Sequence, residues 1–175
     1  MSKVLSPNTT ANRILARLSH EDFGLLEPHL EAVELPLRRS LEKRKRRIEY
    51  VYFPESGFAS VVAVAPNKPS LELGLIGREG VTGLPVIMGV DRAAQDVFIQ
   101  APGWGWRMMV EPWRAADEKS STLHRTVLRY AHSFMQQSAQ TALANGRSKI
   151  DERLARWLLL AHDRLDGDEV PLTHE

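Results

Sequence analysis

The chain has 175 residues, 43% of them apolar and 26% charged, with 23 lysines and arginines set against 22 aspartates and glutamates. This is the composition of a soluble globular chain of one domain, or one domain with an appended piece; it excludes wholesale disorder and collagen-like repeats. Cysteine is absent, which removes disulfides, iron–sulfur clusters, thiolate zinc sites and cysteine nucleophiles together.

The net charge of +1 is unevenly placed. Residues 38–47 hold seven basic groups and one acid, Glu42, while the rest of the chain carries five more acids than bases. One basic segment thus sits on a mildly acidic body. No stretch approaches the ~18 consecutive apolar residues of a membrane helix. The opening MSKVLSPNTTANR lacks the apolar core of a secretory signal. The expectation is a cytoplasmic protein with no membrane partner.

Residues 1–31 are predicted to be helical. Ile14, Leu15 and Leu18 share one side of the segment from Ala11 to Leu18, and Ser19 with Asp22 resembles a capping box before Phe23, Leu25 and Leu26. From 32 to 110 the period becomes two. Strands are predicted at 49–53, 58–64, 70–75 and 95–100. Turn signals separate them at Pro54–Gly57, Pro66–Pro69, Gly77–Gly80, Gly89–Asp91 and Ala101–Gly103. Short punctuated strands read as an antiparallel jelly roll or barrel. The fold class is therefore mainly β with flanking helices.

Residues 111–146 return to the helical period. Trp113 to Lys119 reads as a short helix. Leu123, Val127, Tyr130 and Phe134 then recur at spacings of 4, 3 and 4, continue into Gln137 and Thr141, and end at Asn145-Gly146. In 147–175, Ser148 with Asp151 begins a last helix carrying Leu154, Trp157, Leu158 and Ala161, stopped by Gly167. Thr173 with an acid close behind has the look of an N-cap, as if the chain ended before its next element.

Histidine is missing from 32–110: His20 and His29 precede it, and His124, His132, His162 and His174 follow. A histidine–carboxylate metal centre inside the jelly roll fails on residue count, and no metal or other cofactor is expected. The segment Gly77-Arg78-Glu79-Gly80-Val81-Thr82-Gly83 has the glycine density of an anion-cradling turn. A pair of tight β-turns explains it as well and is preferred.

Several longer words resemble one branch of the bacterial Crp/Fnr family of transcription regulators: Asn12-Arg13-Ile14-Leu15-Ala16-Arg17-Leu18, Val51-Tyr52-Phe53-Pro54-Glu55-Ser56-Gly57, Gly74-Leu75-Ile76-Gly77-Arg78-Glu79-Gly80, Ala142-Leu143-Ala144-Asn145-Gly146-Arg147 and Glu152-Arg153-Leu154-Ala155-Arg156-Trp157-Leu158. The resemblance covers nearly the whole chain. It implies a cyclic-nucleotide-binding-like jelly roll, a long dimerisation helix, and then a winged helix-turn-helix of which only the first helix lies in 147–175.

The family's ligand cassette pairs a Gly-Glu-Leu word with a downstream Arg-(Ser/Thr)-Ala, the acid taking a ribose hydroxyl and the arginine the cyclic phosphate. In the preferred register these words fall on Gly83-Leu84-Pro85 and Gln95-Asp96-Val97, which lack the acid and the arginine. A second register uses Glu79 and Arg92 and keeps the charges at the cost of spacing and the glycine match. The candidate ligand residues are thus Gly77, Arg78, Glu79, Gly80, Gly83, Leu84, Arg92 and Gln95. Cyclic AMP is not the expected effector, while another small-molecule effector stays open.

The seam has two readings. Leu123, Val127, Tyr130 and Phe134, with Gln137 and Thr141 setting register, meet their copies across a twofold axis in a homodimer, or they pack on the chain's own barrel. The resemblance favours the dimer. The basic run Arg38 to Arg47 touches DNA phosphates or is a solvated barrel loop; charge runs are commonly solubilising, and the loop is preferred. DNA reading itself is expected only through the absent C-terminal element. Two unlike functions compete with the regulator: a ligand-free structural dimeriser, and a small-molecule enzyme on a jelly roll, for which the inward strand positions supply no histidine or cysteine.

Overall fold

The computed structural model describes residues 6–64, 70–167 and 169–170. The turn at Pro66–Pro69 and the tail from Pro171 to Glu175, with Thr173 and His174, lie outside these described residues.

Where a helix was expected from Ala11 to Leu18, only a short 3-10 turn forms, at Leu15–Arg17. Asn12 explains the difference. Its Oδ1 accepts from Ile14 N (3.1 Å) and Leu15 N (3.2 Å), while Nδ2 donates to Pro54 O (3.0 Å) and Gly80 O (2.8 Å). A side-chain amide that takes the first N–H groups and anchors on the barrel outcompetes a regular helical start. The first α-helix, α1 (His20–Leu26), begins as predicted, with Ser19 Oγ accepting from Asp22 N at 3.0 Å. It buries Phe23 and Leu26.

Seven strands follow: β1 (Glu31–Leu35), β2 (Ser40–Glu42), β3 (Tyr50–Pro54), β4 (Phe58–Ala63), β5 (Leu71–Ile76), β6 (Asp96–Ala101) and β7 (Gly103–Met109). They form two antiparallel sheets, ordered β1-β7-β3 and β2-β6-β4-β5. Val51, Phe53, Ile99 and Met108 fill the interior at no more than 1% exposure, joined by Trp113. The jelly-roll fold class is what the period-two patterning announced.

No strand was predicted for β1 or for β7, and two further elements were also unexpected. The basic run is not all loop, because it contains β2, where Ser40 pairs with Phe98 and Glu42 with Val97 across an irregular step. The irregular step in the pairing with β6 leaves Ser40 exposed and turns Glu42 inward, while the bases stay outside or find local partners: Lys43 pairs with Asp96 (4.0 Å), Arg47 with Glu111 (3.4 Å), and Arg39 Nη1 donates to Glu34 O. The other element is a single-turn helix, α2 (Leu84–Ile87), after the glycine-dense segment.

Beyond the barrel run α3 (Val110–Lys119), α4 (Ser121–Arg147) and α5 (Ile150–His162). Ser120 caps α4 by accepting from Leu123 N, and Ser120 and Thr122 hydrogen-bond Asp22, fastening α4 to α1. Asn145-Gly146 does not end α4, which continues to Arg147; α5 is capped one residue later than expected, Lys149 N donating to Glu152 Oε2.

The expected dimer seam is corrected here. Leu123 and Val127 are fully buried and Tyr130 and Phe134 are 8% exposed, all within the barrel's own core cluster. Gln137 continues the same face. Its Nε2 donates to Leu75 O (3.2 Å) and its Oε1 accepts from Leu75 N (2.7 Å), so the amide stands in for the missing neighbour of β5, an edge strand. Thr141 bonds Gln137 O and receives Arg156 Nη1. An apolar stripe at heptad spacing fits a barrel as well as a partner helix, and the barrel, being covalently attached, takes it. The outward face of α4 instead carries Leu128 (38% exposed), Met135 (61%) and Leu143 (50%).

Candidate effector pocket

Three pieces of chain converge on one cavity. The first is α2. Gly83 precedes it at φ +78°, a left-handed conformation that favours glycine, and a Cβ at Gly83 would come within 2.6 Å of Val51 Cγ1. The second is the 91–95 segment, tied to the 45–48 turn by Lys45 N→Ala93 O (2.8 Å), Ala93 N→Arg46 O (3.0 Å) and Ile48 N→Asp91 O (2.9 Å). The third is α4, which contributes Ala131, Phe134, Met135 and Ser138. With β4, β5 and β6 behind them they enclose about 490 Å³, walled chiefly by Val61, Leu73, Ile76, Leu84, Val97 and Phe134.

Polar groups in this cavity are few: Glu42, Arg92, Gln95 and Ser138. Glu42 is 6% exposed and its Oε1 accepts from Gly83 N at 2.7 Å. Burial pushes its carboxyl up to about 7, and the Gly83 hydrogen bond offsets only part of that. Arg92 is solvent-exposed, and its Nη1 donates to Lys45 O at 3.0 Å. It stands at the rim rather than inside.

The predicted ligand residues divide into two groups. Leu84, Arg92 and Gln95 line the cavity, with Gly83 at the start of α2. Gly77, Arg78, Glu79 and Gly80 form a turn elsewhere, a junction between the barrel and the segment after α5. Glu79 Oε1 takes Arg164 Nε (2.9 Å) and Nη2 (2.7 Å) as well as Gly77 N (3.2 Å). Arg78 pairs with Asp166 (2.9 Å) and donates to Leu165 O. Gly80 lets the Tyr130 hydroxyl lie where a Cβ would be, 2.1 Å from it. The Glu79–Arg92 register is therefore corrected: one charge is committed to Arg164 while the other stands at the cavity rim. Leu84 and Gln95 do share the cavity.

Sequence reasoning missed Glu42. The signal was in view, since it is the lone acid in a run of seven bases, but only the pairing of β2 with β6 turns it inward. Among the described residues no group of three histidine, aspartate or glutamate side chains could hold a metal ion, and no described helix is long and apolar enough to cross a membrane.

No family sequence model matches the chain, and no curated protein matches it. Solved structures do match. One from Eubacterium rectale, assigned to the Crp/Fnr family of transcriptional regulators, aligns with a TM-score of 0.72 at 11% identity, covering 87% of this chain and 72% of that one. The cyclic-di-GMP-responsive global regulator CLP of Xanthomonas campestris aligns at 0.62 with 15% identity, over 81% of this chain and 71% of that one. The regulatory domain of Toxoplasma gondii PKA, solved with cyclic AMP, aligns at 0.57 with 14% identity, over 70% and 46%. The chain has the fold shared by Crp/Fnr regulators and cyclic-nucleotide-binding domains. At these identities the likeness is one of fold, and a fold carries no ligand with it.

Proposed function

We propose that this chain is the sensor and dimerisation part of a Crp/Fnr-like bacterial transcription regulator whose effector is not cyclic AMP. The observation that carries the reading is the cavity beneath α4. It has the size of a small-molecule site, yet its one inward ionisable group is an acid, Glu42, and its one cation, Arg92, faces the solvent. A cyclic phosphate there would keep its charge unmet, which costs more than neutral donors return.

In this reading the dimer forms through the outward face of α4. Leu128, His132, Met135, Ala139 and Ala142 follow one another at spacings of 4, 3, 4 and 3 and are all exposed. The small residues toward the C-terminal half suit close helix approach. Met135 also lines the cavity, so an occupant and a partner helix would meet at the same side chain. α5 is read as the first helix of a DNA-reading domain; among the described residues no further helix follows it, and these 175 residues alone are expected to give no sequence-preferring gel shift.

Calorimetry with cyclic AMP tests the central point. No heat is expected up to about millimolar nucleotide, a level at which a bound ligand would contribute only about 4 kcal/mol. Micromolar binding would overturn the reading.

A further inference from the structure

The cavity beneath α4 says more about its occupant than what it excludes. This step rests on reading it as the effector site. Most of the wall is aliphatic or aromatic, so an occupant is held chiefly by apolar contact. Charge is disfavoured from both ends. Above about pH 7, where Glu42 is ionised, it repels an anion from inside, and Arg92 at the rim opposes the entry of a cation.

Glu42 also supplies the polar contact. One carboxyl oxygen accepts from Gly83 N at 2.7 Å; the other shows no hydrogen bond among the described residues and is not among the fully buried atoms left without a partner, so it is open to the cavity. An acceptor that faces the cavity is met by water when the cavity is empty, and an occupant with an N–H or O–H takes that water's place, whereas one without a donor leaves the oxygen unpaired. Gly83, which fixes the first oxygen, is itself held against Val51, so the acceptor is preorganised rather than mobile. We propose that this cavity takes an uncharged, largely apolar small molecule bearing a hydrogen-bond donor, which the free oxygen of Glu42 accepts.

Three probes of matched shape test it by calorimetry at about pH 8, where Glu42 is ionised: 2-naphthol, which donates; 2-methoxynaphthalene, which does not; and 2-naphthoate, an anion. The wild-type chain should bind 2-naphthol about tenfold or more tighter than the ether, the discrimination one hydrogen bond to a buried carboxylate gives. Naphthoate should bind at least about tenfold more weakly than 2-naphthol. Glu42→Gln replaces the free acceptor with an amide and should bring 2-naphthol and the ether to within about threefold of each other. Ala94→Trp, at an exposed position on the rim, should abolish binding of all probes and so locate the site without disturbing the core.

Equal affinity for 2-naphthol and its ether in the wild type would overturn the proposal, whether or not Glu42→Gln folds. So would naphthoate binding as tightly as 2-naphthol, or no probe binding at all, and in those cases the dimeric, cyclic-AMP-insensitive reading is untouched. Micromolar cyclic AMP binding that disappears in Ala94→Trp is the distinct result that removes the underlying reading as well.

Discussion

Replacing Glu42 with glutamine keeps the side chain's shape and its acceptor for Gly83 N while removing a buried ionisation. Glu42 is 6% exposed, and desolvation raises its carboxyl from an ordinary value of 4.5 to about 7, with the Gly83 hydrogen bond pulling the other way. The folded state therefore holds the proton more tightly than the unfolded chain does. Its contribution to stability is complete below pH 4.5 and is lost as pH rises to about 7. At about 1.4 kcal/mol per pH unit the loss is on the order of 3 kcal/mol. Urea unfolding of both proteins at several pH values measures it, with m-values confirming that the same transition is compared. Glu72, whose carboxyl is likewise raised by burial against the hydrogen bond to Ser60, and Asp22, where hydrogen bonds from Ser120 and Thr122 outweigh desolvation and lower it, titrate in both proteins and cancel from the difference. Glu42→Gln should thus gain about 3 kcal/mol on wild type between about pH 5 and pH 8. Two stability profiles that stay parallel over that range would refute the buried, poorly solvated state of Glu42 on which the pocket argument depends.

The two faces of α4 should respond differently to one substitution. Met135→Glu, on the outward face, is expected to leave the fold intact and to give monomers by sedimentation, whereas Val127→Glu buries an unpaired charge in the barrel and should abolish cooperative unfolding; a Met135→Glu dimer as tight as wild type would count against the outward seam. Arg164→Ala strands Glu79, whose side chain is 26% exposed, and should cost about 3 kcal/mol, the low end for a broken buried pair. It should also speed tryptic cutting within α5 several-fold, and unchanged protease resistance would mean that the Glu79 junction does not hold that helix. Asn12→Ala removes two donated and two accepted hydrogen bonds and should cost about 2–3 kcal/mol in denaturant, with Leu15 remaining buried only if the barrel holds the segment by packing alone.

Local signals were enough for much of this molecule. Runs of β-branched and aromatic residues placed β3 and β4, and alternation placed β5 and β6, within a residue of where they lie, because both signals are local to the strand. Ser19 announced the start of α1 because a cap hydrogen bond spans only three residues. Other features depended on which surface came to cover another. The 4-3-4 stripe of α4 reads identically whether a partner helix or the chain's own barrel lies on it, and only the packed structure assigns Leu123, Val127, Tyr130 and Phe134 to the barrel, leaving Leu128 and Met135 outside. Glu79 looked available until Arg164, 85 residues further on, was seen to hold it. Glu42 sat in plain sight among bases. A three-residue strand is too short to show its own alternation, so its inward turn was decided by pairing with β6, and the chemistry of the cavity followed from that pairing.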